Sequence, residues 1–229
     1  MPRDAHRRSG FARRYRPTVR LPEELFLLSH DGSGKPVVHA DSLDLGVAGA
    51  RLVDLVLAGR VGVTAGRLDV VEAVPTGDPE SDNLLAAIMR PPTAPTIAET
   101  LTRLREGAGE RVRDGLLADG AITKVNARRL GLIGVIRFPA DEAMVRTINV
   151  RLWYAAHGRS QPEVRTAALC GLVHAVLLHD HVFVTMPMTG LGQRLREIRE
   201  RLSPPVKEIV DTVGELVSPA TFAIFRASR

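Results

Sequence analysis

One cysteine in 229 residues rules out an intrachain disulfide. Cys170 sits inside the apolar stretch from Ala167 to Leu178, so it reads as a buried thiol rather than a redox centre. No run of about 18 uncharged apolar residues occurs, which excludes a conventional membrane-spanning helix. The first twenty positions carry charge where a signal peptide needs an apolar stretch, so the expected location is the cytoplasm. Nucleophilic catalysis has no foothold. There is no Gly-x-Ser-x-Gly, no thiol in a polar motif, no paired-carboxylate setting, and serines are few. Gly46-Val-Ala-Gly49 lacks the Gly-Lys-Ser/Thr ending and the strand-loop-helix context of a phosphate-binding nucleotide loop. Lysine is scarce as well. Lys35, Lys124 and Lys207 are the only three among 31 basic residues, an arginine bias typical of a GC-rich bacterial genome.

What remains is 45% hydrophobic with a mean hydropathy near zero, enough apolar material for a real core. The charge is unevenly placed. Residues 1 to 20 hold seven arginines against the single acid Asp4 and sum to +6, whereas the whole chain is +5. The high isoelectric point therefore describes a basic arm, expected to be disordered, on a nearly neutral body spanning 21 to 229. Phe11 and Tyr15 lie between the arginine pairs of the arm, a mixture that places rings at a headgroup interface while guanidinium groups meet phosphates. A duplex-DNA binder more often carries its basic stripe on the folded domain.

Periodicity and punctuation predict a mainly α fold, a single compact helical domain with a helical-bundle core and two small β-hairpins. Leu21-Pro22-Glu23-Glu24-Leu25 opens a first helix that Asp31-Gly32-Ser33-Gly34 stops. Further helices are expected at about 42 to 58, 79 to 89, 97 to 104, 110 to 117, 140 to 156, 162 to 178, 192 to 202 and 205 to 216. One hairpin falls in residues 60 to 74, turning at Ala65-Gly66. The second is expected from strands at 122 to 125 and 132 to 138, with Asn126, Arg128 and Arg129 at its tip beside Leu130, Leu132 and Ile133. The stretch Arg90-Pro-Pro-Thr-Ala-Pro95 is the clearest linker.

Three stretches carry a family resemblance. They are Leu21-Pro-Glu-Glu-Leu-Phe-Leu-Leu, Leu45-Gly-Val-Ala-Gly-Ala-Arg-Leu-Val-Asp-Leu-Val-Leu-Ala-Gly-Arg-Val61 and Glu110-Arg-Val-Arg-Asp-Gly-Leu-Leu-Ala-Asp-Gly-Ala-Ile122. In this order the chain resembles the Golgi phosphoprotein 3 family, which includes bacterial members, from about residue 21 to 225. The resemblance implies a mostly helical, non-enzymatic adaptor that binds phosphatidylinositol 4-phosphate through a basic pocket beside a membrane-facing hairpin. Where eukaryotic members carry a tryptophan, an arginine and an Arg-x-x-Arg pair in that pocket, this sequence has His39, Ala48, Glu106 and Gly109. Glu106 repels a phosphate, and the guanidinium forks of the pattern are missing. Arg51 lies three residues after Ala48, Arg103 three before Glu106 and Arg105 four before Gly109, spacings that share a helical face.

The expected headgroup site is therefore a less selective one, made of His39, Arg51, Arg105, Arg111, Arg128 and Arg129. Leu130, Leu132 and Ile133, with Phe11 and Tyr15 in the arm, are the candidate membrane contacts. Packing on the body or on a second copy of the chain is the competing use of the hairpin leucines. His174, His179, His181 and Asp180 suggest a metal site, but their spacing is poor and the surrounding apolar residues favour structural histidines. No metal and no cofactor is expected. The expected function is reversible docking on the anionic inner face of the cell membrane, with a protein cargo to be identified. The alternatives are a winged-helix-like nucleic-acid binder, in which residues 110 to 138 supply a recognition helix and wing, and a scaffold that binds only proteins.

Overall fold

In the computed structural model the described residues are 19–129, 133–159, 161–184 and 188–217. They form ten helices and two separate two-stranded antiparallel sheets in one mainly helical body. The arm residues Phe11 and Tyr15, and Leu130 and Leu132 of the second hairpin, lie outside them.

Helix α1 (Leu21–Leu28) is apolar almost all round, and seven of its eight residues are buried. Its start is held by polar groups. Glu23 accepts a hydrogen bond from the Arg20 amide at 2.9 Å, and Asp54 accepts one from the Leu21 amide at 3.0 Å. The long helix α2 (Ala40–Leu57) runs through the centre, touches α1 and α10 (Pro204–Leu216) most extensively and also packs on α7 (Val164–Ala175). Gly46 and Gly49 permit that approach. A Cβ on Gly46 would stand 2.6 Å from Val176 Cγ1 and 2.8 Å from Leu25 Cδ2, and one on Gly49 would collide with Val213 Cγ2. The Gly-x-x-Gly spacing thus serves helix packing. In α7 every residue from Thr166 to Val173 is buried, while α10 presents Val206, Ile209, Val210 and Val213 at helical spacing.

The first hairpin pairs β1 (Val61–Thr64) with β2 (Arg67–Val70) across the two-residue turn Ala65-Gly66. Both turn residues have positive φ, 49° and 74°, as a tight turn matched to strand twist requires. Helix α3 (Pro79–Met89) starts at the N-cap Asp78 with proline at its first position. Helix α4 (Ile97–Leu104) starts with the capping box of Thr96 and Glu99. Between them residues 90–95 do not separate two bodies. The Leu68 amide donates to the Pro95 carbonyl at 2.9 Å and the Ile97 amide to the Gly66 carbonyl at 2.9 Å, fastening this stretch to the hairpin.

Helix α5 (Ala108–Ala118) leads into the second hairpin, where β3 (Val125–Arg129) pairs with β4 (Ile133–Arg137) in the register Val125↔Arg137 to Arg129↔Ile133. The expected strand at 122–125 is displaced. Ile122 is 2% exposed and bridges Ala140, so the chain must first complete the core before it can leave as a strand. Arg128 consequently lies within β3, opposite Gly134. Helix α6 (Glu142–Ala156) follows under the N-cap Asp141. The helix expected to run to 178 ends at Ala175, and a single turn, α8 (His179–Val182), separates it from α9 (Met188–Glu200).

Candidate anion-binding cleft

Helices α2, α3, α4 and α5 enclose a cleft of about 400 Å³. Its wall includes Ala48, Arg51, Glu80, Asn83, Arg103, Glu106 and Arg111, so three guanidinium groups face two carboxylates. Of the arginines expected in the headgroup site, Arg51 and Arg111 line the cleft. Arg105 caps the C-terminus of α4, is exposed and stands outside the wall, whereas Arg103, two residues earlier, is in it. His39 is also outside the wall. It caps α2, its Nδ1 accepting from the Asp41 amide at 3.2 Å.

The cleft arginines are held by specific partners. Arg111 donates Nε to Glu80 at 2.6 Å and its terminal nitrogens to the carbonyls of Glu106 (2.8 Å) and Leu104 (3.1 Å), which sets the guanidinium across the junction of α4 and α5. Arg51 meets Asp78 at 2.7 Å, with the two side chains only 13% and 16% exposed. Arg103 reaches the Ala87 carbonyl at 3.4 Å and has no ion pair among the described residues.

Asp78 has four donors: the Ser81 amide, the Ser81 hydroxyl, Arg51 and Arg20. Burial raises its pKa, but the bonds from Ser81 and Arg20 and the charges of both arginines outweigh burial and hold the carboxyl below its ordinary value. Behind it the ion pairs continue. Glu24, 5% exposed, meets Arg151 at 2.8 Å and Arg165 at 4.0 Å, and Arg165 meets Asp54 at 2.7 Å. Burial pushes both carboxyls above the ordinary range against the pull of those arginines.

Glycine at 109 has a geometric reason. The Gly109 amide donates to Asp44 at 2.7 Å, and a Cβ there would lie 2.9 Å from the accepting oxygen. An arginine at this place would have to displace the carboxylate that covers the start of α5.

The second hairpin is a different kind of surface. Its strands pack chiefly against each other, and exposed residues occur on both faces, including Val125, Asn126, Arg128 and Ile136. Its base is fixed. The Phe138 amide donates to the Gly34 carbonyl at 3.1 Å, Arg137 donates to the Ser33 hydroxyl at 2.8 Å, and the Arg113 guanidinium lies 5.2 Å from the centre of the Phe138 ring. Among the described residues Arg128 has no ion pair or hydrogen bond. The side chains of Arg129 and Ile133 fall outside the described set.

The remaining candidates occupy other places. Cys170 is fully buried, and burial pushes its pKa up to about 12. The rings of His174 and His179 are 4.9 Å apart, with His179 Nε2 3.5 Å from Asp180, and burial lowers both histidine pKa values. No group of three or more potential metal ligands gathers among the described residues.

A helical body with glycine-enabled close packing around α2, a basic cleft at the α4–α5 junction and a separate exposed hairpin defines a class of compact α-helical protein. The chain belongs to the Golgi phosphoprotein 3 (GPP34) family, whose model matches residues 21–213. No curated protein matches it.

Proposed function

We propose that the protein is a peripheral, non-catalytic membrane adaptor that docks on anionic phospholipid headgroups at the inner face of the cell membrane. The observation that carries this reading is the grouping of Arg51, Arg103 and Arg111 around one cleft of about 400 Å³. That volume admits a phosphorylated sugar headgroup, and guanidinium forks suit phosphate oxygens. Family membership supports the same direction, phosphoinositide binding by a non-catalytic adaptor. Among the described residues no helix is long and apolar enough to cross a membrane, so surface attachment is the mode of contact proposed.

Three parts share the work. The cleft supplies headgroup recognition, the arm supplies attraction to the bilayer, and the hairpin supplies a second contact through Arg128, Arg129, Leu130, Leu132 and Ile133. Each basic residue near an anionic surface contributes on the order of 1 kcal/mol, so an arm of charge +6 binds appreciably and loses its hold in salt. Glu80 and Glu106 in the cleft wall weaken the attraction for phosphate, which fits a broader headgroup preference than strict phosphatidylinositol 4-phosphate recognition. The body is left free to hold a protein cargo.

The test is co-flotation at low ionic strength with three kinds of vesicle: neutral, phosphatidylserine-containing, and phosphatidylinositol 4-phosphate-containing at equal charge. Duplex DNA serves as the competing polyanion. The reading expects binding to both anionic vesicles, more to the phosphoinositide, with DNA a poor competitor. Binding to DNA in preference to every vesicle would replace it with the nucleic-acid reading.

A further inference from the structure

The root of the arm and the cleft are joined through one carboxylate. Arg20 is the residue before α1, and its guanidinium meets Asp78 Oδ1 at 2.5 Å while Arg51 meets Asp78 Oδ2 at 2.7 Å. Val19, next to it, is pinned by its carbonyl, which accepts from Arg165 at 2.7 Å. The arm therefore leaves the body at a fixed point beside the cleft, and Asp78 is shared between the arm's last arginine and a cleft arginine.

We infer that Asp78 is a built-in competitor for the cleft's anion: it neutralises Arg51 until a phosphomonoester headgroup takes its place, and Arg20 sets how strongly it competes. This inference rests on the headgroup reading of the cleft. A headgroup phosphate entering beside Arg103 and Arg111 draws the Arg51 guanidinium toward it and away from Asp78. The carboxylate is not stranded by that change, since Arg20 and both donors of Ser81 still satisfy it. Displacement is cheap because the acceptor keeps three partners. The same arrangement gives selectivity. A monovalent headgroup phosphodiester offers Arg51 no more charge than Asp78 already does, whereas a doubly charged phosphomonoester does. Arg20 pulls Asp78 the other way, so an intact arm root favours the cleft's open state and links arm and headgroup binding thermodynamically.

The proposal is tested on the full chain with Asp78→Asn, which retains an N-cap acceptor for α3 but removes the charge. The readout is the ratio of affinities for vesicles containing phosphatidylinositol 4-phosphate and vesicles of equal charge containing phosphatidylserine, because the arm contributes to both and cancels. Inorganic phosphate as a soluble competitor separates a free-anion site from a lipid headgroup site. Asp78→Asn is expected to shift both phosphoinositide and phosphatidylserine binding upward and to narrow their ratio severalfold, since Arg51 becomes available to either phosphate. Arg20→Gln is expected to weaken phosphoinositide binding about twofold to threefold by leaving Arg51 as the one guanidinium paired with Asp78 among the described residues. Asp82→Asn is the control. Asp82 accepts from Thr76 and does not touch Arg51, so it should leave the ratio unchanged. Should Asp78→Asn fail to fold, Asp78→Ser keeps a capping hydroxyl and answers the same question. An unchanged ratio in the Asp78 variants, or an equal change in Asp82→Asn, overturns the proposal while leaving the headgroup reading in place. A wild-type chain without any phosphoinositide preference overturns that reading and the proposal together.

Discussion

The cleft and the second hairpin both present arginines, yet they treat them in opposite ways. In the cleft Arg51 and Arg111 are seated on Asp78, Glu80 and backbone carbonyls, half withdrawn from water. On the hairpin Arg128 stands exposed on a strand that leans on little besides its neighbour. A committed arginine is pre-positioned and selective, but a ligand must outbid its partner. An uncommitted one meets any anion without that cost and distinguishes none. One body thus separates recognition from attraction, and the stability of the fold is tied to the first and indifferent to the second.

Four measurements put this contrast to the test. The largest effect is expected from Arg51→Glu, which sets a new carboxylate against Asp78 in a site where both side chains are mostly buried. Disrupting such a pair costs about 3 kcal/mol, visible as a lower denaturant midpoint together with lost phosphoinositide preference. Gly49→Ala touches no charge but drives a methyl into Val213, and should destabilise by about 2 kcal/mol with headgroup selectivity intact in the folded fraction. Arg128→Glu is expected to leave the thermal midpoint in place and to weaken binding to every anionic vesicle by roughly 1 to 2 kcal/mol, equally for each lipid. A loss confined to phosphoinositide vesicles would mean that the hairpin belongs to the recognition site.

The smallest effect is one of pH. The Asp78 carboxyl is held below its ordinary value in the fold, so the stability it contributes is present above the unfolded carboxylate pKa of about 4 and is lost as pH falls through the folded value. The stability gap between the wild-type chain and Asp78→Asn should therefore hold at neutral pH and close in acid. A gap that widens in acid would assign the stabilisation to another group.

Much of the fold was legible because its signals are local. Helical periodicity marks α3 and α4, and Ala65-Gly66 between two alternating stretches marks the first hairpin, within a residue or two of where they lie. The second hairpin was displaced because the core demand of Ile122 is tertiary and invisible to a period of two. Helix α7 stops at Ala175 inside the apolar run that reaches Leu178, and nothing in that run announces the positive φ of Leu177 that breaks it.

The site divides the same way. Helical spacing brought Arg51 forward, but spacings of three and four could not separate Arg103 from Arg105, since the difference is that the chain leaves the helix at Arg105. Asp78 and Asp44 carried no signal at all. They act on Arg51 and Gly109, 27 and 65 residues away along the chain, and only the fold brings them together.

Vesicle co-flotation of the Arg51→Glu, Arg111→Glu double variant beside Arg128→Glu addresses the central claim most directly. Seated guanidiniums that read headgroups predict that the first variant binds phosphoinositide and phosphatidylserine vesicles alike while the second keeps the wild-type preference at lower affinity. Retention of the wild-type preference by the double variant, confirmed folded by circular dichroism, would contradict the account.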